Sequence, residues 1–196
     1  MPIATKQVKS AKRILKVVVK RMYDTDADTS YLGEYSNSRE SEYSIDRAHV
    51  LDCPVNTGQD NAEWQEQDGE TCDCVGDDWN RREYRYFNPS SNYEGDTPEN
   101  IRKYVLQDYS RMEGLNHDQW CYLGIRAEVQ VQASHGAVIQ NFSSGGLWGI
   151  ESDSDKSYFA EIEQEQLGEL REELLSYGFS RRAIAKAFKD VEHVDE

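Results

Sequence analysis

Hydrophobic and polar positions along the chain change period several times, and each change predicts an element. "RILKVVVKRM" places Val17, Val18 and Val19 between lysines. A β-branched centre of that kind cannot be solvated on both faces, so the stretch predicts an internal strand. "DTDADTSYLGEYSNSRES" has loop composition. Ser44 then stands where an N-cap would start a short helix over Ile45–Asp52, ended by Pro54. From Val55 to Asn80 no period is sustained. "REYRYFNP" alternates as a strand does. Thr97-Pro98-Glu99 predicts a helix start, with a threonine cap, proline at the first position and an acid in the first turn. Ile101, Tyr104, Val105, Tyr109 and Met112 mark the buried face of that helix, and Gly114 its end.

The clearest alternation is "WCYLGIRAEVQVQ". Cys121, Leu123, Ile125, Ala127, Val129 and Val131 fall on one side, and Arg126, Glu128, Gln130 and Gln132 on the other. That predicts a half-buried antiparallel strand, returned by the turn "ASHG" into a second strand, "AVIQNFSSGGLWGI". Ser152 or Ser154 starts a long helix to about Ser176, apolar along Phe159, Ile162, Leu170 and Leu174 and wet along Glu161, Glu165, Glu169 and Glu172. Gly178, Phe179 and the cap Ser180 turn it into a last short helix with Ala183, Ile184 and Phe188 inward. The expected fold is therefore α+β, a mainly antiparallel sheet of about four strands with helices packed around it. The expected organisation is a basic flexible arm over 1–12 and a single domain over 13–196, with an acidic loop-rich region at 23–80 and a C-terminal helical hairpin at 154–191.

Charge sharpens this picture. The first 22 residues carry seven lysines and arginines and no acid, whereas residues 23–79 carry sixteen acids against Arg39 and Arg47. With a net charge of −15, the body of the molecule repels phosphate and anionic membrane. Direct nucleic-acid binding is disfavoured, and a basic protein surface is the expected partner. No apolar run reaches membrane length and the first residues lack a signal-peptide block, so the expected location is the cytoplasm. Between Asp60 and Asp78 the acids Glu63, Glu66, Asp68, Glu70, Asp73, Asp77 and Asp78 accumulate with no lysine or arginine, next to Trp64 and Trp79. Carboxylates that imitate phosphates, with tryptophans as anchors, make this run the candidate partner-binding surface.

"CDCVGDD" places two thiols in the same acidic stretch. Together with His49 and Cys53, four apart, Cys72 and Cys74 make a candidate Cys3His zinc set, a staple for a segment poor in apolar residues. Loop cysteines without metal are the alternative, and zinc is the only cofactor the residues suggest. Asp24, Asp26 and Asp28 have calcium-loop intervals, but Thr29 stands where the sharp turn needs glycine and Tyr35 where a bidentate glutamate is needed. An aspartate-rich turn is the better account. No nucleotide-binding or nucleophile motif occurs, so no catalytic residue is assigned; His117 and His135 fall in expected loops.

Two resemblances follow from these residues. "LLSYGFSRRAIAKAFKDV" resembles the glycine-phenylalanine loop of ubiquitin-associated domains, and also a helix-turn-helix corner with Arg181, Arg182 and Lys186 on its second helix. A plain helical hairpin is the simpler account. In general character, with its tyrosine- and carboxylate-rich stretches "DTDADTSYLGEYS" and "NAEWQEQDGETCDCVGDDWN", the chain resembles small acidic accessory proteins of bacteriophages and mobile elements. That resemblance implies an inhibitor of a host defence system, an anti-CRISPR or anti-restriction protein that covers a basic surface by charge mimicry. The basic arm is a departure from a pure DNA mimic. The alternatives are a small enzyme working beside the 119–150 hairpin and a zinc-stapled regulator touching nucleic acid through the arm and Arg181-Arg182.

Overall fold

A computed structural model describes residues 14–57, 83–90, 93 and 95–196. In chain order the elements are β1 (Ile14–Tyr23), β2 (Gly33–Ser36), β3 (Ile45–Asp46), α1 (Pro54–Thr57), β4 (Tyr86–Pro89), α2 (Pro98–Asn116), β5 (Tyr122–Gln132), β6 (Val138–Ser143), β7 (Leu147–Glu151), α3 (Lys156–Ser176), α4 (Arg181–Ala187) and β8 (Val191–Asp195). The fold is α+β, as expected, although the larger sheet is mixed rather than purely antiparallel. The described residues form two compact units, one drawn from 14–27 and 121–196 and one from 28–120. The basic arm falls outside the described residues.

In the first unit β1 is the internal strand its valines demand. It runs antiparallel to β5, from Ile14 opposite Gln132 to Tyr23 opposite Leu123, and parallel to β8 on its other side. β6 and β7 share the far edge of β5, β6 along Glu128–Gln132 and β7 along Tyr122–Ile125. One face of this five-stranded sheet supplies Val17, Val19, Ile125, Ala127, Val129 and Val131, which meet Phe159, Ile162, Leu167, Leu170 and Leu174 of α3 and Ile184 of α4. The alternation at 121–132 thus has the phase the sequence implies. Its opposite face carries ion pairs: Lys20 Nζ lies 2.9 Å from Glu196 and 3.5 Å from Glu128, which Arg126 also reaches at 2.6 Å.

Three details depart from expectation in this unit. The strand expected over 137–150 breaks at Ser144, whose N–H donates to Ala127 O at 2.9 Å and whose Oγ accepts from Ala127 N at 3.0 Å. The register shift opposite Leu123/Ile125 makes "SSGGLWG" a bulge, and its own indole packs against a glycine of β5. The Trp148 ring lies so close to Gly124 that a Cβ there would fall 2.1 Å from its Cε3. The long helix has Asp155 at its N-cap, in place of the Ser152 or Ser154 expected to start it. After α4 the chain enters β8, a strand that period-two pattern does not announce because it is short and mostly exposed.

The second unit is a three-stranded antiparallel sheet in the order β2-β4-β3, with α2 packed on it. Phe87 of β4 is fully buried between Tyr35 and Tyr109, with ring centroids 5.6 and 5.4 Å away. The helix expected over Ile45–Asp52 does not form. Ile45 and Asp46 pair instead with Phe87 and Tyr86, burying Ile45, while Asp46 holds Arg85 through Nε and Nη2, the shortest contact being 2.8 Å. Ser44, rather than capping a helix, donates from Oγ to Asn88 Oδ1 at 2.7 Å. Pro54 opens α1 rather than closing a helix, in keeping with the preference of proline for a first helical turn. The start of α2 is as expected, with Thr97 as the cap accepting from Asn100 N, and its end lies two residues past Gly114.

A candidate cleft of tyrosines and carboxylates

The second unit contains a cleft of about 800 Å3 whose lining includes Glu34, Glu40, Tyr31, Tyr43, Tyr93 and Asn88. Local hydrogen bonding shapes it. Asn88 is buried, and its amide takes Glu40 N at 3.2 Å and Ser44 Oγ on one side and gives a hydrogen bond to Ser38 O at 3.1 Å on the other. The loop between β2 and β3 is thereby wrapped around one side chain, and Glu40 is held at its rim with an exposed carboxylate. Glu34 projects from β2 opposite Asn88 and is also exposed.

The tyrosines are fixed from the helix side. Tyr93 donates its hydroxyl to Asp108 of α2, and its ring stacks on Tyr104 at 6.1 Å with 12° between planes. Burial, then the bond to Asp108, pushes the Tyr93 phenol well above its ordinary value, and burial raises the Asp108 carboxyl too. Arg102 of α2 has its guanidinium carbon 5.5 Å from the Tyr43 ring centre, so that ring already takes a cation against its face. Nearby Asp28, bonded by the Ser30 hydroxyl and backbone N–H, is held below the usual carboxylate range. Aromatic faces and the exposed carboxylates of Glu34 and Glu40 in one cavity suit a lysine or arginine side chain.

A second polar cluster lies under the sheet. Tyr35 donates to Glu113 Oε1 at 2.6 Å, Arg47 Nη2 reaches the same oxygen at 2.9 Å, and the Arg47 guanidinium sits 4.1 Å from the Tyr35 ring centre. Desolvation, reinforced by Glu113, raises the Tyr35 phenol strongly. A raised pKa in the folded state means the neutral phenol stabilises the fold fully below about pH 10, and that contribution is lost as pH rises through the folded values. Absorbance titration near 295 nm is expected to show Tyr35 and Tyr93 ionising after the exposed tyrosines, with thermal stability falling above pH 10. Tyr35→Phe and Tyr93→Phe variants that leave the late phase unchanged would contradict this assignment.

Of the residues singled out from sequence, Glu63, Trp64, Glu66, Asp68, Glu70, Asp73, Asp77, Asp78 and Trp79 lie outside the described residues, as do Cys72 and Cys74. His49 and Cys53 are described, and Cys53 Sγ is 3.7 Å from His49 Nδ1. The contact is made across a turn closed by Cys53 N on Val50 O, not along a helix. Among the described residues no group of three or more His, Cys, Asp or Glu is placed to hold a metal. Asp24 and Asp28 act as turn acceptors, for Asp26 N and Ser30 N respectively. His117 bonds the carbonyl of Glu113 through Nδ1 at 2.7 Å, and His135 is exposed in the hairpin turn. Arg181 and Arg182 are exposed at the start of α4.

The sequence did not indicate Glu163, which is buried on α3. Its Oε1 accepts from Arg21 Nε and Nη2 at 3.2 and 2.7 Å, and His193 Nε2 lies 3.3 Å from Oε2. Its position beside Ile162, on the apolar stripe of α3, was the available signal. No helix among the described residues is long and apolar enough to cross a membrane. Comparison of the chain with protein-family models, curated proteins and solved structures finds no significant match.

Proposed function

We propose that the chain is an acidic protein-binding protein that seats a basic segment of another protein. The observation that carries this reading is the cleft of the second unit, where the carboxylates of Glu34 and Glu40 stand with the rings of Tyr43 and Tyr93. The net charge of −15 supports it, because a field of that sign draws cationic surfaces from a distance. The acidic run with Trp64 and Trp79 has the same chemistry and is proposed to serve the same partner. Resemblance to small acidic phage accessory proteins directs the search to bacterial defence proteins in the cytoplasm, where binding would inhibit by occupying a basic face.

The test uses the full chain and a partner captured from bacterial lysate, with rates measured by surface plasmon resonance. Glu34→Gln with Glu40→Gln is expected to slow association at low salt, since long-range attraction sets the encounter rate. The difference should shrink at 1 M salt, where the Debye length is about 3 Å. Tyr43→Ala is expected to act on dissociation instead, by about tenfold or more, as aromatic anchors do. Association unaffected by the two amides and dissociation unaffected by Tyr43→Ala would remove the cleft from the binding surface. The same comparison with Glu66, Asp68, Asp73 and Asp77 as amides decides whether the acidic run takes part.

A further inference from the structure

The sheet of the first unit ends differently on its two sides. The β8 edge carries Glu192, His193 and Asp195, followed by Glu196. Charged side chains of this kind keep an exposed edge from pairing with another chain. On the other side, from Val129 to Ile150, the sequence contains no Asp, Glu, Lys or Arg, although 30% of the chain is charged. β6 lies within that run and is exposed along most of its length. Ile139 is 56% exposed and Val138 50%. Along the same edge Trp148 of β7 is 44% exposed. Next to Phe142 the ring of Tyr177, itself exposed, lies 5.0 Å away.

We infer that this edge is where two copies of the chain join, β6 against β6 in antiparallel register about a two-fold axis perpendicular to the sheet. Charge selects the occupant. Two copies of a molecule at −15 repel wherever carboxylates face each other, and a strand with no charge of its own is where they can approach. The strand itself offers a basic partner no carboxylate, and the nearest ones, Glu169 on Gly145 N and Glu173 on the Tyr177 hydroxyl, belong to α3 and already accept hydrogen bonds. The chemistry is also self-complementary: with the axis on Gln140 or on Asn141, both exposed at the middle of β6, that one side-chain amide faces its own counterpart and can both donate to it and accept from it. The bulge opposite Val131/Gln132 limits the regular part of β6, so the strand contact is short. A contact of so few residues is expected to fall below the roughly 1,200 Å2 of a standard interface, and the dimer to be weak. This inference is independent of the cleft in the second unit.

Sedimentation equilibrium of the full chain, from about 5 to 500 μM in 0.05, 0.15 and 0.5 M NaCl, tests it. The expected result is a monomer–dimer equilibrium that tightens with salt, because screening removes repulsion while the contact itself has no ion pair to lose. Ile139→Lys and Asn141→Lys, which restore charged guards to the edge, are each expected to raise Kd at least tenfold with unchanged circular dichroism and melting midpoint. If either fails to fold, Gln140→Lys on the same strand decides. A chain that stays monomeric at 500 μM in every salt overturns the proposal, as does a dimer that weakens with salt or survives the folded lysine variants.

Discussion

Replacing Ile125 by alanine is expected to cost about 2–5 kcal/mol, the range for deleting a buried branched side chain whose cavity cannot close. Ile125 is fully buried, paired across the sheet with Arg21 of β1 and Leu147 of β7, and packed in the core that α3 and α4 cover. Neighbours on three elements fix the walls, which leaves little room for collapse into the void. Arg126→Ala, one residue along and on the other face, removes a partly exposed ion pair with Glu128 and is expected to cost about 1 kcal/mol or less. Urea denaturation midpoints compare the two. Equal midpoints would mean that the phase of β5 is wrong.

Gly33→Ala is expected to be as damaging, for a backbone reason. Gly33 begins β2 at φ +127, a conformation that side chains rarely adopt, and an added Cβ would fall 2.4 Å from the carbonyl oxygen of Asn88 and 2.7 Å from Phe87 Cζ. Neither neighbour can yield, since Asn88 pairs within the sheet and holds the β2–β3 loop, while Phe87 is the centre of the small core. Strain of about 1–3 kcal/mol and a similar overpacking cost combine to roughly 3 kcal/mol or more. Protease sensitivity of the 28–120 unit, with the circular dichroism of the chain, reports the loss. A variant as resistant as the parent would show that the strand start relaxes freely.

The contrast between these two sites shows what was legible in the sequence. The period-two pattern around Ile125, the stripe of α3 and, each at its own helix, the caps Thr97 and Ser180 act locally, and local signals survive in a linear reading. Around Asp46 the outcome depends on Arg85 and Phe87, some forty residues away, whose pairing overrides a plausible helix cap at Ser44. The cleft shares that character. Glu34, Tyr43 and Tyr93 come from three separate segments, and the sequence showed only that tyrosines and acids were abundant there. β8 was missed because five residues with no apolar majority have no period to detect, and only β1, lying alongside, defines them as a strand.

The pairing of Tyr23 with Leu123 has a consequence for the order in which the molecule assembles. Between those two residues the chain runs out through the whole 28–120 unit and returns, so adjacent strands of one sheet enclose roughly a hundred residues as a loop. Closing a loop of that length while it is still a coil fixes its ends against a large ensemble. Once the 28–120 unit has condensed on its own local contacts, the same closure joins two short tethers. The β1–β5 ladder is therefore expected to form late on the route to the native state, after the folding of a unit whose residues contribute none of its hydrogen bonds.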